Sequence, residues 1–241
     1  MAKFVTKTAF TIGLLIMLMS VPALAASINK DIKIANGEQS GGATSVNGSI
    51  TVGDDAVVTG GLSTVNGRIT VDGGASIEAA RTVNGDIKVA GNATTEDLST
   101  VNGKIIVGEG TKVDGDIGAV NGRITLQKGS TVSGGLGNVN GRIELVSAEV
   151  GGDLETVNGD VELADGSALM GNLVVEKPDG WNWGKEKSRK PRIVIGPGSR
   201  VVGTIELERE VQLFISETAE VGGVSGVMSM DDAVRFSGDQ P

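Results

Sequence analysis

Val83-Asn84-Gly85-Asp86-Ile87-Lys88-Val89 is followed, eighteen residues on, by Val101-Asn102-Gly103-Lys104-Ile105-Ile106-Val107, and this return decides the architecture. The same Val-Asn-Gly stands at Val46–Gly48, Val65–Gly67, Val120–Gly122, Val139–Gly141 and Val157–Gly159. Its asparagines (Asn47, Asn66, Asn84, Asn102, Asn121, Asn140, Asn158) are 19, 18, 18, 19, 19 and 18 residues apart. Ile28-Asn29-Lys30, 18 residues before Asn47, reads as a degenerate first copy. Seven copies at so tight a period mark a stacked repeat.

Other positions fall into columns too. Three residues after each asparagine comes Ile50, Ile69, Ile87, Ile105, Ile124, Ile143 or Val161, and five after it Val52, Val71, Val89, Val107, Leu126, Leu145 or Leu163. Polar residues mostly lie between, which is the period-two pattern of a strand. A turn such as Gly53-Asp54-Asp55 follows, then a second short strand with one small and one larger inward residue, as in Ala56 and Val58. A third strand starts near Leu62, Leu98, Ile117, Leu136 or Leu154 and runs into the next Val-Asn-Gly. Sustained 3.6-residue periodicity is absent after the N-terminal leader. The expected fold class is all-β: a single-stranded parallel β-helix (β-solenoid) with three short strands per 18–19-residue layer and about ten layers. Layers ~4.8 Å apart make a rod ~45–50 Å long.

At the corner, a sharp bend predicts φ > 0, which glycine reaches freely and asparagine tolerates. Two readings of the asparagines stay open: an amide ladder along the rod axis, or turn residues facing water.

Composition agrees with layered packing. There are 38 glycines without a three-residue period, no Tyr, and only four aromatics beyond the leader: Trp181, Trp183, Phe214 and Phe236. Aliphatic columns must therefore fill the interior. With no cysteine, disulfides and a lipid-bearing cysteine are excluded. With no histidine either, imidazole catalysis and His-ligated metal sites are excluded, as is the histidine-dependent chemistry of left-handed β-helix acyltransferases. Asp54 with Asp55, Asp114 with Asp116, and Asp72 are the carboxylates that could mimic a polysaccharide-cleaving cluster, but they sit at Gly-rich corners and read as turn residues. The expectation is no enzyme activity, no cofactor and no metal.

Lys3 and Lys7, an apolar Ala9–Met19, Pro22 and then Ala23-Leu24-Ala25 predict a signal peptide over 1–25 with cleavage after Ala25. The apolar run is too short to span a bilayer, and no transmembrane segment is expected in the mature chain. Removal of the leader leaves 19 basic against 30 acidic residues, a balance that argues against nucleic acid as a partner. The expected location is periplasmic or secreted, with the solenoid over 26–224 and a cap or flexible tail over 225–241.

The repeat breaks after Val175. Residues 176–192 form an insertion with Trp181, Trp183 and the cations Lys185, Lys187, Arg189, Lys190 and Arg192. Two readings stand: a contact loop for an envelope polysaccharide or protein, or a flap over a seam of the rod.

The run Arg192-Ile193-Val194-Ile195-Gly196-Pro197-Gly198-Ser199-Arg200-Val201-Val202-Gly203-Thr204-Ile205 resembles the repeat of bactofilins, polymer-forming proteins of the bacterial cytoskeleton. Gly115-Asp116-Ile117 and Gly152-Asp153-Leu154 fit the same grammar, and the Val-Asn-Gly layers also resemble repeats of bacterial surface adhesins. The bactofilin resemblance implies a right-handed β-helix that assembles end to end without nucleotide. The signal peptide departs from that pattern. Two functions are therefore expected: an exported structural rod that assembles with itself, or an adhesin-like binding module using the Trp-bearing loop.

Overall fold

A computed structural model describes residues 25–178 and 189–241 as a β-solenoid of about ten turns. Each turn has three faces. Face I is an eleven-strand parallel sheet running from Ile32–Ile34 through Ile50–Val52, Ile87–Val89 and Ile124–Leu126 to Val234–Phe236. Face II holds two-residue strands such as Val57–Val58, Thr94–Thr95 and Lys112–Val113. Face III holds Ala43–Ser45, Leu62–Thr64, Ala80–Asn84, Leu98–Asn102, Ile117–Asn121, Leu136–Asn140, Leu154–Thr156 and Leu173–Val175. Pairing is parallel and in register, Ile87 over Ile69 and Asn102 over Asn84, so like residues pile on like.

The interior is the set of expected columns. Ile50, Ile69, Ile87, Ile105, Ile124 and Ile143 are fully buried, and so are Val52, Val71, Val89, Val107, Leu126 and Leu145 beside them. Face II contributes the narrow column Ala56, Ala75, Ala93, Thr111, Ser130, Ala148, Ser167, Ser199. Its hydroxyls turn back to corner carbonyls, as Thr111 Oγ1 to Ala90 O (2.8 Å) and Ser167 Oγ to Ala164 O (2.6 Å), which is how polar atoms survive there.

The reason expected for glycine at Val-Asn-Gly is corrected by the backbone. Of those corners only Gly141 has positive φ. The left-handed positions stack at the other end of the face I strand: Gly37, Asp55, Gly74, Asn92, Gly110, Gly129, Ser147, Gly166 and Gly198. At Val-Asn-Gly the constraint is steric instead. A Cβ on Gly103 would lie 1.8 Å from Gly85 O, and on Gly122 1.7 Å from Gly103 O. Each glycine passes over the carbonyl below with no room for a methyl group.

Beside this column, hydroxyls two residues before asparagine close the corner from inside. Thr64, Thr82 and Thr100 Oγ1 donate to Gly48, Gly67 and Gly85 O at 2.9, 3.1 and 3.1 Å. Ala119 and Asn138 interrupt it. Asn138 Oδ1 accepts from Thr156 Oγ1 (2.6 Å), while its Nδ2 is buried without a partner.

Residues 225–241 lie at the C-terminal end of the stack. Met228, Met230 and Ala233 pack on the core, Met230–Asp232 is a single 3₁₀ turn, and Val234–Phe236 pairs with the strand Gln212–Ser216. Asp232 accepts from Ser229 N–H (2.8 Å) and Oγ (3.0 Å), which lowers its pKa below the ordinary 3.8. The expected leader lies outside the described residues except Ala25, which opens the first strand opposite Ala43.

Three outcomes follow. Gly103→Ala should destabilise by about 3 kcal/mol, whereas Asn92→Gly, at φ 59°, should change stability by about 0.5 kcal/mol or less, as read from urea midpoints. The double change A119T/N138T makes the hydroxyl column uniform and removes the orphaned donor, so it should stabilise by about 1–2 kcal/mol in the same assay. A depressed folded-state pKa gives stability that is present above the unfolded value and lost as pH falls through the folded one. The Ser229 amide proton resonance should therefore titrate with a midpoint below 3.8 and stop titrating in D232N.

Candidate functional site

The asparagines of Val-Asn-Gly stand at the outer edge of the corner, where face III turns into face I. There their amides meet along the axis. Asn47 Nδ2 donates to Asn29 Oδ1 (2.8 Å), Asn66 to Asn47 (2.8 Å), Asn84 to Asn66 (2.9 Å) and Asn102 to Asn84 (2.9 Å). Asn121 then donates to Asn102 (3.0 Å), Asn140 to Asn121 (2.9 Å) and Asn158 to Asn140 (3.1 Å). The ladder exists, and it is solvent-facing rather than interior: all but the half-buried Asn158 are exposed. The two readings of these residues therefore combine.

In-register pairing carries the asparagine column on to Lys177 and then to Arg209, two residues after Val175 and Leu207 respectively. Arg209 reaches down past the Lys177 layer. Its Nη1 donates to Asn158 Oδ1 (2.7 Å) and Val157 O (3.2 Å), and its Nη2 to Arg189 O (3.3 Å). One guanidinium thus ends the ladder and holds the returning stem of the insertion. Sequence reasoning missed it, although counting the period across the insertion puts Arg209 in the asparagine column.

The insertion leaves the rod at this corner. Trp181, Trp183, Lys185 and Lys187 lie outside the described residues. Arg189, Lys190 and Arg192 lie in its stem and have partners there. Arg189 Nη2 meets Asp160 Oδ2 and Lys190 Nζ meets Glu210 Oε2, both at 2.6 Å. Arg192 donates its N–H to Asp160 Oδ1 (2.8 Å) and lays its guanidinium over Phe214, 5.0 Å from the ring centroid. The Lys190 hydrogen bond and charge hold the Glu210 carboxyl below its ordinary range. On the other stem Lys177 N–H donates to Glu208 Oε2 (3.2 Å). These three cations serve to clamp the stem.

The acidic corners are likewise engaged in stacking. Asp97 Oδ1 accepts from Asp116 N–H (3.1 Å), Asp116 Oδ1 from Gly135 N–H (2.8 Å) and Asp153 Oδ1 from Asn172 N–H (2.6 Å). Asp54 Oδ1 accepts from Gly73 N–H (3.0 Å). Among the described residues no group of three or more acidic side chains is arranged to hold a metal ion, and no helix is long and apolar enough to cross a membrane.

Comparisons with protein-family models, curated proteins and solved structures returned no significant match to this chain.

If Arg209 joins ladder and stem, R209A should leave the circular dichroism spectrum intact, lower stability by about 1.5–3 kcal/mol, and speed tryptic cleavage after Arg189 several-fold. Unchanged cleavage would rule out the clamp.

Proposed function

We propose that this chain is a non-catalytic, exported structural rod of the bacterial cell envelope that assembles end to end with copies of itself. The observation that carries this reading is the set of edge strands at the two ends of the described stack. Ala25–Ser27, Ile32–Ile34 and Gln39–Ser40 at one end, and Glu220–Gly226 and Val234–Phe236 at the other, each have a described pairing partner on one side only. A parallel edge of that kind is a template for another chain. The chemistry points the same way. Polar side chains at the corners are spent on holding layers together, and the sequence offers no histidine or cysteine for catalysis.

The likeness to bactofilin repeats fits this reading, since the run that carries it forms the strands Arg192–Ile195 and Arg200–Leu207 in one layer. Export would make the rod an envelope component rather than a cytoplasmic one. An adhesin-like role for the insertion is less well supported, because Arg189, Lys190 and Arg192 are engaged within the molecule.

Negative-stain microscopy of the purified chain, residues 26–241, tests the proposal. Strings whose length grows in steps of about 45–50 Å with concentration are expected. Monodisperse single rods at high concentration would overturn it.

A further inference from the structure

An asparagine followed by glycine is chemically exposed to loss of its side-chain amide. Glycine has no side chain to keep its own nitrogen away from the preceding side-chain carbonyl carbon. Seven such pairs stand in the Val-Asn-Gly column. In five of them the glycine N–H is occupied. Gly85, Gly103 and Gly122 N–H donate to Asn102 O (3.1 Å), Asn121 O (3.3 Å) and Asn140 O (2.9 Å) in the next layer. Gly48 and Gly159 N–H donate instead to the hydroxyl three residues earlier, Ser45 Oγ and Thr156 Oγ1, both at 2.9 Å. An eighth pair, Asn36-Gly37 at the left-handed corner, is held by Gly37 N–H to Asp54 O (2.8 Å).

Gly141 departs from this pattern in three ways. Among the described residues its N–H has no acceptor. It is the one exposed glycine of the seven, and the only one with positive φ, 131°. The cause lies inside the corner. Three residues before Gly141 stands Asn138 instead of serine or threonine, and its Oδ1 is taken by Thr156 Oγ1 (2.6 Å). Gly67 N–H also lacks an acceptor among the described residues. Gly67 is half-buried, however, and Thr64 holds the place that Ser45 and Thr156 hold in their layers.

We propose that Asn140 is a site of spontaneous covalent modification, the residue at which this rod ages by deamidation. Hydroxide removes the Gly141 amide proton, and the nitrogen attacks Asn140 Cγ. The new C–N bond closes a succinimide, the Cγ–Nδ2 bond breaks, and Nδ2 leaves as ammonia with a proton from water, regenerating hydroxide. Water then opens the ring at either carbonyl, giving aspartate or isoaspartate. Asn158 Nδ2, which donates to Asn140 Oδ1 (3.1 Å), polarises the carbonyl under attack. The product lacks the donor that Asn140 Nδ2 offers Asn121 Oδ1 (2.9 Å), so the ladder parts between those two layers. The inference rests on the corner geometry and does not depend on end-to-end assembly.

Incubation of residues 26–241 in mildly alkaline buffer, followed by tryptic mapping with tandem mass spectrometry, reads each asparagine separately. In the folded chain Asn140 should convert faster than Asn102 or Asn121 by about fivefold or more, the worth of one hydrogen bond of about 1 kcal/mol. In concentrated guanidinium chloride the three should convert at like rates. N138T restores a hydroxyl beside Gly141 and should bring Asn140 down towards the rate of Asn102, with an unchanged circular dichroism spectrum. Asn140 converting no faster than Asn102 in the folded chain would overturn the proposal. So would a lead that persists in guanidinium chloride or in folded N138T.

Discussion

Every turn of this rod must lie on the turn beneath it at one strand spacing, and that constraint settles what each position can hold. It is most severe where the chain bends from face III into face I. There the backbone of each glycine passes over the carbonyl oxygen of the glycine below, so that a single methyl group at Gly85, Gly103 or Gly122 would come within 2 Å of it. The hydroxyl two residues before asparagine then donates to that same stacked carbonyl in the Thr64, Thr82 and Thr100 layers. Close approach and hydrogen bonding are two sides of one arrangement, because the carbonyl that excludes a Cβ is the one the threonine satisfies. Burial of the isoleucine and valine columns supplies the driving force. The corner sets the spacing at which those columns meet.

The fold was legible in the sequence because a solenoid writes its geometry as a period. An eighteen- or nineteen-residue return, aliphatic residues at three and five places after asparagine, and small residues on the second face were enough to assign three strands per layer. Val-Asn-Gly was misread in one respect for an equally physical reason. A glycine needed for φ > 0 and a glycine needed for clearance look the same in one dimension, and only the stacked carbonyl tells them apart. The left-handed corner was visible in hindsight at Asp55, Asn92 and Ser147, where mostly Asx residues replace glycine. No such exchange occurs at the clearance positions from Gly48 to Gly159.

The candidate site was less legible because its decisive contacts cross the insertion. Asp160 and Arg189 are 29 residues apart, Asn158 and Arg209 51. Neither separation is a multiple of the repeat, so no periodic reading joins them. Counting by layers does. Val175 still pairs with Leu207 and Leu163 with Ile195, so neither flanking sheet loses register across the insertion. Clustered cations suggested a binding loop when read along the chain. In three dimensions Arg189, Lys190 and Arg192 face Asp160, Glu210 and Phe214, and hold the two ends of the excursion to the rod.

The asparagine ladder gives the rod a direction. Every amide in it donates towards the N-terminal end and accepts from the layer above, so the last carbonyl oxygen, Asn158 Oδ1, needs a donor that no further asparagine supplies. A guanidinium fits that end: it offers only donors, carries the charge that strengthens a hydrogen bond to an amide oxygen, and can span the Lys177 layer to reach it. Arg209 is that group, and the same guanidinium holds Arg189 O. The corner therefore closes with a cation at its acceptor end and opens with an amide donor at Asn29. The two ends of the rod are chemically unequal before either meets a partner.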